Sequence, residues 1–214
     1  MTPDPQFLYA DLHIHTVYSA DSFIQPKTIV DMLVAHSYIK VAAITDHNSI
    51  RGCRVTVELA RAYPDILIIP GTEITTNYGD MLVIGTTELP PKPWTPENVA
   101  DYARTIDAIS IVAHPFRTYG MGEYARNVKA DAIEVLNGGT NKEGNIKAKE
   151  FAKELCLPGT GGSDAHQVSE LFTICTQIQS TKKIDTILAT IKKGLISAHV
   201  LNNSLYGHSA LNNK

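Results

Sequence analysis

The chain has 214 residues, of which 43% are hydrophobic and 19% charged, and its net charge is −3 at pH 7. This composition is typical of an ordinary globular protein with a full core, and it predicts one domain over residues 1–202 followed by a flexible polar tail at 203–214. The weakly acidic balance, without a basic run, argues against nucleic acid as an obligatory partner.

The first half of the chain alternates between short apolar segments and helical patterns of about ten to fifteen residues. This alternation predicts an α/β protein built from repeated βα units around a parallel sheet. Thr95 and Pro96 have the residue types of a helix cap and first turn. The predicted elements are a strand at 9–15, a helix at 27–37, a strand at 41–45, a helix at 53–63, strands at 66–74 and 81–85 joined by a short turn, and a helix at 95–104.

The second half continues the alternation. Its predicted elements are strands at 108–115 and 132–137, a helix at 145–155, a strand segment at 158–166, a strand at 172–179, a helix at 184–193 and a strand at 195–201. A parallel sheet of this many strands either stays open or closes into a barrel. No GxGxxG pattern follows the first strand, so a dinucleotide site is not indicated.

The chain also lacks patterns that would direct it to a membrane. It has no signal-peptide pattern and no apolar run of about 20 residues, so we expect a cytoplasmic protein without membrane contact. Cys53, Cys156 and Cys175 are scattered and form no CxxC pair. They indicate neither a disulfide framework nor a thiolate zinc site, and a free catalytic thiol is the open alternative to reduced, inert cysteines.

Ionisable side chains follow the ends of the predicted strands. Because the carboxyl ends of parallel strands lie on one face, these side chains are expected to converge. The period of two in a strand points His13 and His15 the same way, and likewise Asp164 and His166. The set comprises His13, His15, Asp46, His47, Glu73, His114, Asp164 and His166.

Imidazoles and carboxylates together are the ligand types of zinc, manganese and iron. Several such groups buried together are costly unless a cation compensates them, so the cluster predicts a metal site. Asp46 either orients His47 or caps its loop, and Asp21 alone would pass as a turn residue. The histidines without acidic neighbours are expected to be ordinary hydrogen-bonded residues, namely His36, His199 and His208.

Six segments carry a resemblance to a known family. In chain order they are "DLHIHTVYSADS", "ITDHNSI", "GTEI", "AHPFR", "IEVLN" and "GGSDAH", and they span about residues 10 to 166. Together they resemble the motif series of the PHP (polymerase and histidinol phosphatase) family of metal-dependent phosphoesterases. The resemblance implies a distorted (β/α)7 barrel that holds two or three divalent metal ions (Mn, Zn or Fe) at the carboxyl ends of its strands.

The resemblance also implies how the ligands are grouped. His13, His15, Glu73 and Asp164 resemble the ligands of one ion, and Glu73 bridges to a second ion that His114 also binds. Asp21, His47 and His166 resemble the ligands of a third ion. This chain departs from the family in its fourth strand, which reads "GDMLVIG" where many relatives have a histidine. Either Asp80 supplies a carboxylate there or the second ion is weakly held, so the ion count stays open.

The implied reaction is hydrolysis of a small phosphomonoester or a nucleotide-type phosphodiester by a metal-bound hydroxide. The implied catalytic residues are His13, Glu73, Asp164 and Arg117. Arg117 is also expected to grip the phosphate of a small phosphorylated substrate, the alternative being an exposed loop arginine. Asn48 and Asn137 are either substrate contacts or turn residues. The alternative functions are a histidinol-phosphate phosphatase and a non-catalytic metal- or partner-binding module.

Overall fold

The computed structural model describes residues 7–201, which form nine strands and five α-helices. The predicted tail at 203–214 lies outside the described residues. The strands are β1 (Phe7–Asp11), β2 (Ile39–Ile44), β3 (Leu67–Thr76), β4 (Gly79–Ile84), β5 (Ile109–Val112), β6 (Ala132–Asn137), β7 (Gly159–Gly162), β8 (Ile174–Gln179) and β9 (Ile196–Val200). The helices are α1 (Pro26–Ala35), α2 (Arg51–Ala60), α3 (Pro96–Thr105), α4 (Lys142–Glu154) and α5 (Ile184–Lys192).

Side-chain caps explain where two helices begin. The predicted start of α3 is confirmed, because the Thr95 side chain accepts a hydrogen bond from the backbone N–H of Asn98 and Pro96 follows it. Helix α4 begins three residues before its predicted start at 145. Asn141 is the reason, since its side chain accepts a hydrogen bond from the Gly144 N–H and satisfies one of the free donors of the first turn.

The strands form one sheet in the order β7-β6-β5-β4-β3-β2-β1-β8-β9. The expectation of an all-parallel sheet is wrong in two places. Strand β4 is antiparallel to both β3 and β5, because a tight turn at 77–78 leaves no room for a crossover. Strand β8 is antiparallel to both β1 and β9.

The sheet closes into a barrel through residues that lie beyond the ends of β1 and β7. Ile14 forms an isolated parallel bridge with Ala165. Two backbone hydrogen bonds flank this bridge, from the Asp164 N–H to the His13 carbonyl at 2.8 Å and from the His15 N–H to the Ala165 carbonyl at 3.0 Å. Strands β1 to β7 therefore surround a common interior, which confirms the predicted α/β fold with a distorted barrel.

Helix α5 covers one end of the barrel. Alternate residues of β1 to β5 point into a shared apolar cluster, and Ile187, Leu188 and Ile191 of α5 belong to it. The other faces of the strands pack against the outer helices, as expected for a sheet that is buried on both sides. Helix α5 lies at the amino ends of the parallel strands. The opposite end of the barrel, at the carboxyl ends of these strands, is therefore the end that can carry polar side chains. Within residues 7–201, none of the helices has the length and apolar character needed to cross a bilayer.

Candidate metal centre

The predicted ligands gather at the rim formed by the carboxyl ends of the parallel strands. His13 and His15 lie just beyond β1, which ends at Asp11 rather than at residue 15 as predicted. Asp164 and His166 likewise lie beyond β7, which ends at Gly162. The backbone pairs described above keep these two segments side by side, so loops rather than strands present the side chains.

Four side-chain atoms form a compact cage. His13 Nε2 lies 3.0 Å from His15 Nε2, 3.1 Å from Glu73 Oε2 and 3.4 Å from Asp164 Oδ1. His15 Nε2 lies 3.1 Å from the same glutamate oxygen and 3.2 Å from the same aspartate oxygen. Ligands about 2.1 Å from a tetrahedral ion are separated by roughly 3.4 Å. The cage therefore has the dimensions of a first coordination shell.

Glu73 faces two groups of ligands. Its Oε2 belongs to the cage, whereas its Oε1 lies 3.0 Å from His114 Nε2. His47 Nδ1 lies 3.3 Å from Oε2, and potential ligand atoms of His47, Glu73 and Asp80 lie within 4.8 Å of one another. Asp80 reaches this group because β4 runs antiparallel, which brings its amino end to the rim. The carboxylate thus lies where a bridging ligand is needed.

A third group lies at the exposed side of the cage. Asp21 Oδ2 is 3.3 Å from His166 Nε2 and 3.6 Å from His47 Nε2. His15, His47 and His166 offer ring nitrogens that lie within 4.8 Å of one another. The Asp21 side chain is 54% exposed, so this group opens to solvent, in contrast to the fully buried His13 and His15.

The electrostatics of the cage favour positive charge. Burial would lower the pKa of His13, yet the charges of Asp164, Glu73 and Glu134 hold it well above the usual value. Burial also opposes protonation of His15, but hydrogen bonds to Asp164 and Glu73 raise its pKa to about 9. Burial would raise the pKa of Glu73, whereas the neighbouring imidazoles, His13 first, hold it well below its usual range. A divalent cation would supply the positive charge that protons supply here.

Unsatisfied atoms give a second test of fit. Among the described residues, buried side-chain atoms without a hydrogen-bond partner are His47 Nδ1, Asp80 Oδ1 and His114 Nδ1. Burial followed by repulsion from Glu73 raises the pKa of Asp80. Buried polar atoms normally have partners, and all three atoms belong to residues of the predicted ligand set. The residues present therefore fit a cluster of divalent ions.

Glu134 supports the cage from below, and sequence reasoning missed it. Its Oε1 lies 3.0 Å from His13 Nδ1, and its Oε2 accepts hydrogen bonds from the His114 N–H at 2.9 Å and from Asn137 Nδ2 at 3.0 Å. Glu134 is 1% exposed. An acidic residue inside the otherwise apolar strand "AIEVLN" was the available signal, since a buried carboxylate needs partners.

Asn137, predicted as either a substrate contact or a turn residue, is held in a hydrogen-bond network below the rim. Its side chain is 1% exposed and its Nδ2 donates to both Glu134 Oε2 and Asp164 Oδ2, while its Oδ1 accepts from Thr140. Both donors of the Asn137 amide are therefore engaged in positioning the two carboxylates. The side chain of Asn48 exchanges two hydrogen bonds with Thr75 of β3 and its φ is positive, and both features favour the turn alternative.

Two other predicted residues have clear partners. Arg117 Nη1 donates to Asp164 Oδ2, the oxygen that faces away from the cage, and the arginine side chain is 39% exposed. The guanidinium therefore lies at the rim with donors left for a ligand. Asp46 caps its loop: it accepts hydrogen bonds from the Thr16 N–H and hydroxyl and from the Ser19 hydroxyl, and does not bond to His47.

The sequence of the chain is similar to a known family model and to a known protein. The family model described as "PHP-associated" matches residues 142–196. The chain is 31% identical over 161 residues to the uncharacterized protein MJ1587 of Methanocaldococcus jannaschii, a match that covers 68% of this chain and 92% of that protein. Identity of this extent over nearly the whole relative shows shared ancestry.

Solved structures share the fold. One is a two-domain protein of Bacteroides vulgatus that contains a predicted PHP-like metal-dependent phosphoesterase; it matches with a TM-score of 0.77 and 20% identity, covering 94% of this chain and 67% of that one. Another, from Bifidobacterium adolescentis, is provisionally described as a metal-dependent phosphoesterase; its TM-score is 0.63 at 16% identity, covering 87% and 95% of the two chains. With the ordered motifs and the family model, these matches lead to one conclusion: the chain belongs to the PHP domain family.

Proposed function

We propose that the protein is a metal-dependent hydrolase of phosphate esters, with small phosphomonoesters or nucleotide-type phosphodiesters as substrates. The observation that carries this proposal is the buried four-atom cage of His13, His15, Glu73 and Asp164 beside a half-exposed arginine. Two solved relatives of the same fold bear descriptions as phosphoesterases, which supports the reaction class.

The predicted ligands divide into three sets, one for each ion. One ion would be held by His13, His15, Glu73 and Asp164. A second ion would be held by Glu73, His114 and Asp80, and a third by Asp21, His47 and His166. Bound divalent ions lower the pKa of a coordinated water and neutralise phosphoryl oxygens under attack.

Arg117 contributes what the ligands cannot. One of its nitrogens is held by Asp164, so the guanidinium is fixed in orientation before substrate arrives. Its remaining N–H groups can donate to two oxygens of a phosphate, a geometry that suits guanidinium better than ammonium. In this role Arg117 binds the phosphate and aligns it with the ion-binding residues.

The proposal is tested by phosphate release. The purified protein is stripped with a chelator, reloaded with Mn, Zn or Fe, and assayed on a panel of phosphomonoesters, including histidinol phosphate, and phosphodiesters. We expect turnover that depends on the metal and is lost on stripping. Activity restricted to histidinol phosphate would replace the general proposal with the narrower one.

His13→Ala provides the matched variant and His199→Ala the control, because His199 lies on β9 outside the metal centre. His13→Ala should lose turnover and bound metal together. It should also lose the stabilisation that added metal gives the wild type, which is about 2.7 kcal/mol of unfolding free energy at a hundredfold excess over Kd and is measured as a rise in melting temperature. Metal that binds and stabilises the wild type without any ester being hydrolysed would favour the non-catalytic binding module.

A further inference from the structure

Two neighbouring cavities lie on one side of the barrel, and one of them opens onto the candidate metal centre. The nearer one, about 640 Å³, is lined by Arg117, Asp164 and His166. The farther one, about 780 Å³, lies between α4 and β9. Both are lined by the same three residues, Gly138, Ile174 and Val200. The two cavities therefore adjoin at these three residues.

The floor of the farther cavity is apolar. Side chains of Val135, Leu157, Ile196 and Ala198 line it. Ile146 of α4 also lines it and is 48% exposed. When an apolar group of a ligand covers an exposed isoleucine in a cavity wall, apolar surface is removed from water and the bound state is stabilised.

The rim of this cavity is positively charged. Lys142, Lys149 and Lys153 line it from α4, and their spacings of seven and four residues place them on one face of the helix. Among the described residues, no aspartate or glutamate lines the cavity. The neighbouring Lys147 does not line it, because its ammonium lies 4.3 Å from the ring centre of Phe116.

We propose that the substrate is the phosphate ester of an elongated alcohol with an apolar middle and a second negative charge at its far end. This inference rests on the proposed function, since it takes the phosphate to lie at Arg117. The apolar middle then covers Ile146 and the cavity floor, and the distal anion meets Lys149 and Lys153. An anion there is favoured because no carboxylate of the cavity wall competes for the lysines.

The test compares octyl phosphate with its ω-carboxy analogue of equal chain length in the metal-loaded enzyme. The two esters differ only in the distal charge, so the ratio of their kcat/KM values reports the lysines. We expect the wild type to prefer the carboxylated ester about fivefold, and the double variant K149Q/K153Q to lose this preference, since partly exposed ion pairs contribute up to about 1 kcal/mol. K147Q, on the same helix outside the cavity, should keep the wild-type ratio.

Binding separates this inference from the proposed function. Calorimetry with the non-hydrolysable phosphonate analogues of both esters should show the same fivefold preference and the same loss in K149Q/K153Q, even in a protein that hydrolyses neither ester. Equal kcat/KM values for the two esters, unchanged by K149Q/K153Q, would overturn the substrate class while leaving the phosphoesterase proposal standing.

A second copy of the chain is the competing occupant. Sedimentation of the wild type and of K149E/K153E identifies it. If neither phosphonate binds and the wild type is a dimer that the charge reversal dissociates, the cavity is an interface and the inference is overturned.

Discussion

Glu134 Oε1 lies 3.0 Å from Nδ1 of His13, the ring nitrogen opposite the one that faces Glu73. A carboxylate in this position fixes the tautomer and rotation of a metal-binding imidazole. We therefore expect Glu134→Gln to weaken metal binding 10- to 100-fold, a range typical of such supporting residues. Metal affinity by calorimetry measures this, and the exposed Glu58→Gln on α2 is the control. An unchanged affinity in Glu134→Gln would show that the hydrogen bond is dispensable.

Asp80 supplies the next prediction. Its buried Oδ1 has no hydrogen-bond partner, and ligand atoms of His47 and Glu73 lie within 4.8 Å. If it holds the second ion, Asp80→Asn should bind one metal equivalent fewer than the wild type after equilibrium dialysis, because an amide oxygen is a neutral and weaker ligand. Asp31→Asn, on α1, serves as the control. Full metal content in Asp80→Asn would remove Asp80 from the ligand set.

Arg117 is expected to act on binding more than on chemistry. Arg117→Ala should mainly raise KM if the guanidinium grips substrate and transition state alike. Arg117→Lys should recover only part of the loss, because an ammonium cannot donate to Asp164 and to two phosphate oxygens in one plane. Steady-state kinetics on the best substrate of the panel measures both. Unaltered kinetics in Arg117→Ala would refute the assigned role.

Gly52 is expected to be intolerant of substitution. A Cβ at this position would overlap Oδ2 of Asp46 and the hydroxyl of Thr16, which bond to each other beneath the metal centre. Gly52→Ala should therefore destabilise the fold by about 2 kcal/mol or more, although alanine normally favours a helix. Urea unfolding measures the change, and Val55→Ala on the exposed face of the same helix is the control. Equal stability in the two variants would contradict the predicted overlap.

Sequence reasoning identified the residues that gather into the cage because they lie in short motifs at strand ends. His13 and His15, and likewise Asp164 and His166, are two residues apart, so local pattern alone pairs them. The same reasoning missed Glu134, since two of its three partners, His13 and His114, come from other segments of the chain. The hydrogen bonds of Asn137 were hidden for a related reason: its sequence neighbours suggest a turn, whereas its side chain bonds to Glu134 and Asp164 below the rim.

The direction of β4 shows another limit. Period and composition predict that 81–85 is a strand but not how it runs. The short turn at 77–78 makes it antiparallel, and only this direction brings Asp80 to the rim. The pairing of β8 with β1 was equally hidden, because nothing local to either strand encodes its partner.

The isolated pairing of Ile14 with Ala165 closes the barrel between its first and seventh strands, and this short contact is the seam of the barrel. His13 and His15 lie on one side of that seam and Asp164 on the other, so a cation bound by all three would link the two sides. Parting of the seam then requires the cation to leave. Resistance to unfolding and retention of the cation are consequently expected to rise and fall together.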